Sequence, residues 1–380
     1  MQIKSLKLVN FRNNKHSELS FADGVNIIYG ENAAGKTNIL EGIFYFAAGK
    51  SFRSCKDREL ISFGEEGAAA ELSFKDRVKE TRLGVKLYKN RRREFFRNGN
   101  GVTKLSEYLG AFRAVIFTPD HLNLIKGQPE NRRRFIDMAI CQSYPRYVSY
   151  LNEYNKIIIQ KNALLKQEGD IGYKRDMLGI YNEKLSSAAA AISFNRRRFL
   201  KQLEECAALQ QEEISGGRES LKLKYNGCFE DEPETAEETR QAMLAYLNGK
   251  AETEILRGIS LFGTHKDDFT IYLNGKNGRF FASQGQQRSA VLALKLAEGE
   301  MSRKITGEYP VFLFDDILSE LDESRREIIL RKTVGRQVII TACEKEYFST
   351  LNTQNRIRVE KGMCIAEKAE GEENNALGKE

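Results

Sequence analysis

No run of eighteen or more apolar residues occurs in this chain of 380 residues, so no membrane-spanning helix and no membrane partner are expected. The opening stretch MQIKSLKLVNF alternates charged and apolar residues. It lacks the long apolar segment of a secretory signal and reads as a strand of the mature fold, which makes the expected location cytoplasmic. Histidine is scarce, with three in all, and the six cysteines (Cys55, Cys141, Cys206, Cys228, Cys343 and Cys364) form no C-x-x-C pair. That argues against a zinc site and a disulfide framework, and the cysteines read as buried reduced thiols. Sustained heptads of a long coiled coil are missing. So is any motif that reads nucleic-acid bases.

What is present describes a soluble globular protein with a heavily charged surface: 41% hydrophobic residues, 30% charged residues and a net charge of +7. The length suits one large core with an insertion, or two modest domains. A positive balance alone does not distinguish nucleic-acid binders from other basic proteins, and clustering of the charge carries more weight.

Residues 1–12 and 16–22 read as strands joined by a turn at Asn13-Asn14-Lys15. Val25–Tyr29 is a short buried strand, followed by a glycine-rich turn and a helix over about 36–48. Residues 67–98 alternate with period two, which predicts antiparallel strands, and 114–117 is another buried strand. From about 130 to 245 the pattern is helical, with a turn at Gly169–Gly172 between two long helices. Strand character returns at 269–273, 311–314 and 338–341. The stretch 367–380 is acidic and polar and is expected to be a disordered tail. The chain thus reads as an α/β head interrupted by a helical insert: first lobe 1–128, insert 129–249, second lobe 250–366.

Gly30-Glu31-Asn32-Ala33-Ala34-Gly35-Lys36-Thr37 fits G-x-x-x-x-G-K-S/T after a strand and before a helix, the context that a phosphate loop requires. Glycines let successive N–H groups turn inward on an anion, and the helix N-terminus adds partial positive charge. Lys36 is placed to reach the β- and γ-phosphates of ATP, and Thr37 to put its hydroxyl on Mg2+. Further on, the apolar strand Val311–Phe314 ends in Asp315-Asp316. Asp315 fits a carboxylate that holds Mg2+ through water. Asp316 is placed to orient or deprotonate the attacking water. The stretch Ser283-Gln284-Gly285-Gln286-Gln287-Arg288 opens a helix 32 residues before Asp315 and offers a second anion site at a helix N-terminus. Ser319-Glu320-Leu321-Asp322 follows the paired acids.

This order resembles the ABC-type ATPase heads of the SMC class. Within that class the chain is similar to the RecF family in Leu8–Asn13, Gly30–Asn38, Gly127–Asp137, Gly263–Asp268 and Ala282–Arg288. The resemblance implies an α/β P-loop head with a mixed sheet, an antiparallel sheet and an inserted helical domain. It implies a composite ATP site, in which Ser283, Gly285 and Gln286 of one chain meet the γ-phosphate held by Lys36 and the rest of Gly30–Asn38 of another. Arg12 would lie near the nucleotide and Asp322 in a loop crossing the interface. The family implies a weak DNA-dependent ATPase and an ATP-bound homodimer on double-stranded DNA and at double-strand/single-strand junctions. RecA loading is the implied task, RecR with RecO the implied partners, and the nucleoid the implied place. An SMC-like clamp with negligible turnover and a transporter ATPase subunit are the rival readings.

Two features depart from the broader ABC pattern. Asp316 stands where a longer Glu is usual, so slow turnover is expected. The switch histidine of transporter heads is missing, and the strand 338–341 runs into Ala342-Cys343 instead. His265 is the substitute on offer, with a structural role as the alternative. The basic clusters are Lys89 to Arg93 with Arg97, Arg132–Arg134 and Arg196–Arg198. Such clusters bind phosphate without reading sequence. Arg91, Arg92 and Arg93 are taken as DNA-binding candidates. Arg53 and Lys56 join them because their stretch resembles a DNA-contacting segment of RecF-like heads. Arg132–Arg134 have a second reading, as links that knit the insert to the head.

Overall fold

The computed structural model describes residues 1–367 except Ser54, 230–232, 319–320, 344–354 and 361. Ser319 and Glu320, and the expected tail beyond Glu367, lie outside the described residues. The chain forms two compact units. One takes Met1–His121 with the described residues from Glu298 onward, and the other is Leu122–Ala297. The division differs from the lobes expected above, because 250–297 falls with the helices of the insert.

The first unit holds two six-stranded sheets. In the antiparallel sheet the order is Asn14–Ser20, Gln2–Phe11, Gly67–Lys75, Glu80–Tyr88, Glu94–Arg97, Asn100–Val102. Its long strands alternate between buried and open residues, as a half-solvated antiparallel sheet should. The mixed sheet runs Met363–Glu367, Asn355–Glu360, Val25–Tyr29, Val338–Ala342, Val311–Asp315, Ala114–Phe117. All neighbours there are parallel except the edge strand Met363–Glu367. Val311–Asp315 and Val338–Ala342 are buried at every position, which matches their sequences, apolar except for Asp315 and Thr341 near the carboxyl ends. Because these strands are parallel and in register, their carboxyl ends fall on one edge. Asp315 lies opposite Thr341, and Thr341 opposite Ile28. Ligands of open α/β sheets bind at that edge. The helix Lys36–Ala48 starts there and buries eleven of its thirteen residues.

The second unit is helical, with Pro129–Ser143, Tyr147–Lys166, Ile171–Ser215 and Ala236–Gly249 as its main helices. Ile171–Ser215 has 45 residues. Asp170 caps its start by accepting from the Tyr173 N–H at 2.8 Å, and Gly216 at φ 62° ends it. Its buried face steps through Leu178, Asn182, Leu185, Ala189, Ile192, Arg196, Phe199 and Leu203. Those steps alternate four and three, so a heptad-like stripe exists, hidden in the sequence by polar Asn182 and Arg196. One expectation is corrected. Leu221–Asn226, inside the stretch read as helical, is a strand and pairs antiparallel with Asp268–Leu273. Its sequence Leu-Lys-Leu-Lys-Tyr-Asn alternates with period two, and the helical composition on either side masked it.

Arginines of two basic clusters are structural here. Arg132 is 5% exposed and grips Asp268 through Nε at 2.7 Å and Nη2 at 2.8 Å, while Nη1 donates to the Leu124 and Gly127 carbonyls. Arg196 is equally buried and grips Asp137 with two contacts of 2.8 Å. It also donates to the Thr264 carbonyl and to Asp267. Buried Asp267 further accepts from Ser193 at 3.1 Å and from Tyr225. The stretch Gly263–Asp268 is therefore a knot of charge inside the second unit. Burial raises the Asp267 pKa, opposed by Arg196 and the hydroxyls. His265 is also built in, with Nδ1 at 2.7 Å from the Tyr154 hydroxyl, and burial pushes its imidazole down to about 4. Arg132→Met strands the Asp268 carboxylate and is expected to destabilise the unit by about 3 kcal/mol. A urea denaturation midpoint at the wild-type position would contradict that assignment.

Candidate functional site

The loop Gly30–Thr37 follows the strand Val25–Tyr29 and closes over the N-terminus of the helix Lys36–Ala48. Its backbone needs its residues. Gly30 has φ 151°, and a Cβ there would lie 2.3 Å from the Val359 carbonyl oxygen. Gly35 has φ 114°, and a Cβ would meet the Asn13 amide at 2.7 Å. Ala33 is left-handed at φ 64°. Asn13 braces the loop by donating to the Ala34 carbonyl at 3.2 Å and accepting from Asn38 at 2.8 Å. Lys36 is buried, and its Nζ donates to the Gly30 and Glu31 carbonyls at 2.6 and 2.9 Å. Beside the loop lies a cleft of about 850 Å³ lined by Tyr29–Ala34 together with Cys343, Arg358 and Met363.

Thr37 and the strand-end acid come together. The Thr37 hydroxyl donates to Asp315 Oδ1 at 2.8 Å, and the Thr341 hydroxyl donates to the same oxygen at 3.0 Å. Burial raises the Asp315 pKa, and the two hydroxyls pull it back. Asp316 has φ 52°, and its N–H donates to Thr341 Oγ1 at 3.0 Å. Its carboxylate lies 3.8 Å from the Cys343 sulfur, whose thiol donates to Asn32 Oδ1 at 2.8 Å. Thr341, Cys343 and Asn13 thus complete the neighbourhood. The sequence signal for Thr341 is a hydroxyl at the end of an apolar strand.

Arg12 is placed differently from a free nucleotide contact. Its guanidinium holds Glu41 through two hydrogen bonds of 2.9 and 2.8 Å, and Nη1 donates to the Glu59 carbonyl. Glu41 is fully buried on the phosphate-loop helix and also accepts from Ser51, with Arg53 at 3.6 Å. The Glu41 hydrogen bond raises the Arg12 pKa. An acid within the apolar run Ile39-Leu40-Glu41-Gly42-Ile43 was the available signal for such a partner.

The other predicted residues divide plainly. Arg53 Nη1 donates to Asn38 at 3.1 Å, and Lys56 is exposed. Arg91 stacks 3.5 Å over the Tyr88 ring and pairs with Glu94 at 3.0 Å, and Arg92 is exposed. Arg93 is committed inward, donating at 2.8 Å to both the Tyr45 hydroxyl and Asp57. Asp322 caps the helix Glu323–Lys332 by accepting from the Arg325 N–H at 2.9 Å, which holds its pKa low. Ser283, Gly285 and Gln286 belong to the second unit. Ser283 is exposed and forms a reciprocal cap with Gln286, its N–H donating to Gln286 Oε1 at 2.8 Å and its Oγ accepting from the Gln286 N–H at 3.3 Å.

Comparison with known proteins bears on what this geometry serves. Residues 2–366 match the family described as RecF/RecN/SMC N terminal domain. The chain is 40% identical over 339 residues to the DNA replication and repair protein RecF of Exiguobacterium sp., covering 89% of this chain and 91% of that one. It is 38% identical over 370 residues to the protein of the same name from Bacillus velezensis, covering 96% and 100%. Among solved structures, the recombination mediator protein RecF with ATP, of the RecFOR pathway, superimposes with a TM-score of 0.89 at 34% identity, covering 96% of this chain and 97% of that one. An Smc head bound to the C-winged helix domain of ScpA shares the fold, with a TM-score of 0.56 at 18% identity, covering 97% and 98%.

Proposed function

The chain belongs to the RecF family, and we propose that it is a recombination-mediator ATPase whose ATP-bound form is a twofold dimer on duplex DNA. The observation that carries the ATPase reading is the Thr37–Asp315 contact of 2.8 Å at the foot of a phosphate loop. Both side chains offer hard oxygens, the donors Mg2+ takes when it is held by one or two carboxylates and a substrate phosphate. When bound, that ion supplies charge neutralisation at the β- and γ-phosphates. The loop N–H groups and the N-terminus of the helix Lys36–Ala48 bind the phosphates. Lys36 exchanges its two loop carbonyls for phosphate oxygens. Asp316, its backbone fixed by Thr341, orients the attacking water, and its short side chain makes turnover slow.

One chain carries a phosphate loop and a Ser283–Gln286 turn, so a twofold pairing builds two equal sites, each from both chains. ATP favours the closed pair because it contacts both halves, and loss of the γ-phosphate removes that preference. Phosphate release is expected to be slow for the protein alone and faster with duplex DNA. Binding of ATP with no release in either case would overturn the enzyme reading and leave a nucleotide-sensing clamp.

For DNA, the exposed cations Lys56 and Arg92, with Arg53 and Arg91, are the phosphate-contacting set. The double variant Lys56→Ala/Arg92→Ala is expected to weaken duplex binding at all sequences and to reduce the salt slope by about 2. Arg93→Ala should leave that slope unchanged and lower thermal stability, since Arg93 is bound to Asp57 and Tyr45. Fluorescence anisotropy across a salt series reads both, and an unaltered slope in the double variant would remove these residues from the DNA face. Binding at double-strand/single-strand junctions, RecA loading there, and partnership with RecR and RecO complete the reading, on the family likeness.

A further inference from the structure

The turn that carries Ser283 and Gly285 is exposed, and its own aromatic side chains do not anchor it. Phe280 and Phe281, just before it, are 72% and 69% exposed. Behind the turn stands Gln287, 4% exposed. Its Nε2 donates to the Ala282 carbonyl at 3.0 Å and, more weakly, to the Gly278 carbonyl at 3.4 Å. Both partners are pure acceptors, so the amide can face them only with its nitrogen. Its Oε1 is buried without a hydrogen-bond partner. A buried acceptor left unsatisfied costs stability. Methionine would fill a similar volume with no such acceptor. An amide at this position therefore makes physical sense through its two donations, which tie Gly278 and Ala282 to the first turns of the helix Gln284–Thr306.

We propose that Gln287 is a positioning residue for the ATP reaction: by holding Gly278 and Ala282 from behind, it sets where the Ser283 hydroxyl and the Gly285 N–H meet the γ-phosphate bound by a second copy of the chain. The inference rests on the two-half-site reading given above. Ser283 and Gln286 fix the turn from its front, and Gln287 fixes it from the rear. Without the rear tether the turn keeps its cap and loses its direction. Nucleotide binding by the phosphate loop of a single chain does not involve Gln287, so two readouts should separate.

The test is Gln287→Met in the full chain, read in three ways. A fluorescent ATP analogue should bind the dilute chain within twofold of wild type. The melting temperature should not fall, because the orphaned acceptor is gone. The chain concentration for half-maximal ATP-dependent dimerisation, followed by light scattering, should rise at least tenfold, with turnover at a fixed concentration falling in step. A merely structural glutamine would lower melting temperature and analogue binding together. Should Gln287→Met lose its cooperative melt, Gln287→Leu, which also removes the donations and the buried acceptor without adding a charge, carries the same readouts. Wild type that dimerises with ATP, beside a variant that dimerises equally well, overturns this inference alone. Wild type that stays monomeric overturns the dimer reading and this inference with it.

Discussion

Asp315→Asn is expected to lower ATP turnover by at least about 100-fold while nucleotide binding persists. The carboxylate gathers hydrogen bonds from Thr37 and Thr341 on one oxygen, and an asparagine carbonyl can accept both. The fold around the site should therefore survive. Burial raises the Asp315 pKa, so the folded state holds its proton more tightly than the unfolded chain does. Stability from this group is present at low pH and lost as pH rises through the shifted value. At neutral pH the ionised carboxylate is thus a cost, which the neutral amide removes. The melting temperature should hold or rise while phosphate release collapses. That pairing separates loss of a metal ligand from loss of structure. Hydrolysis at the wild-type rate would refute the assignment of Asp315 to the metal.

The second large effect is expected from Ser283→Arg, which should abolish the ATP-dependent dimer while each chain still binds ATP. Ser283 is exposed, so the long cation has room in the single chain. The local loss is a helix cap, worth about 1 kcal/mol, because Ser283 Oγ accepts from the Gln286 N–H. A stable chain with an intact phosphate loop should remain. Under the proposed twofold pairing, the same position faces the phosphate held by the other chain, and a long arginine side chain there is expected to keep the two chains apart. Light scattering showing a normal ATP-dependent dimer would rule out the composite site.

The nucleotide side of this site was legible because its chemistry constrains residue type at each step. Gly30 and Gly35 are demanded by backbone conformations and close approaches, Lys36 and Thr37 complete the phosphate-loop pattern, and Asp315 stands at the end of a buried strand. Four strands of the mixed sheet, Val25–Tyr29, Ala114–Phe117, Val311–Asp315 and Val338–Ala342, were legible as short, largely apolar runs. Charge was harder to read. Arg132 and Arg92 look alike in sequence, yet Arg132 is buried against Asp268, 136 residues away, and Arg92 is exposed. Composition cannot reveal a partner that only the fold brings near. Glu41 is a middle case: an acid in an apolar helix announces a buried pair without naming Arg12. The strands Leu221–Asn226 and Asn355–Glu360 and the edge strand Met363–Glu367 were missed because short strand patterns are weak beside helical or polar surroundings.

In the proposed reading, ATP joins two chains by filling a site that neither completes alone. Mass in solution, measured by multi-angle light scattering with a slowly hydrolysed ATP analogue and again with ADP, tests it most directly. Twice the 43.3 kDa of one chain with the analogue, and a single mass with ADP, is the expected result. A single mass under both conditions, with the analogue shown to be bound, would contradict the account.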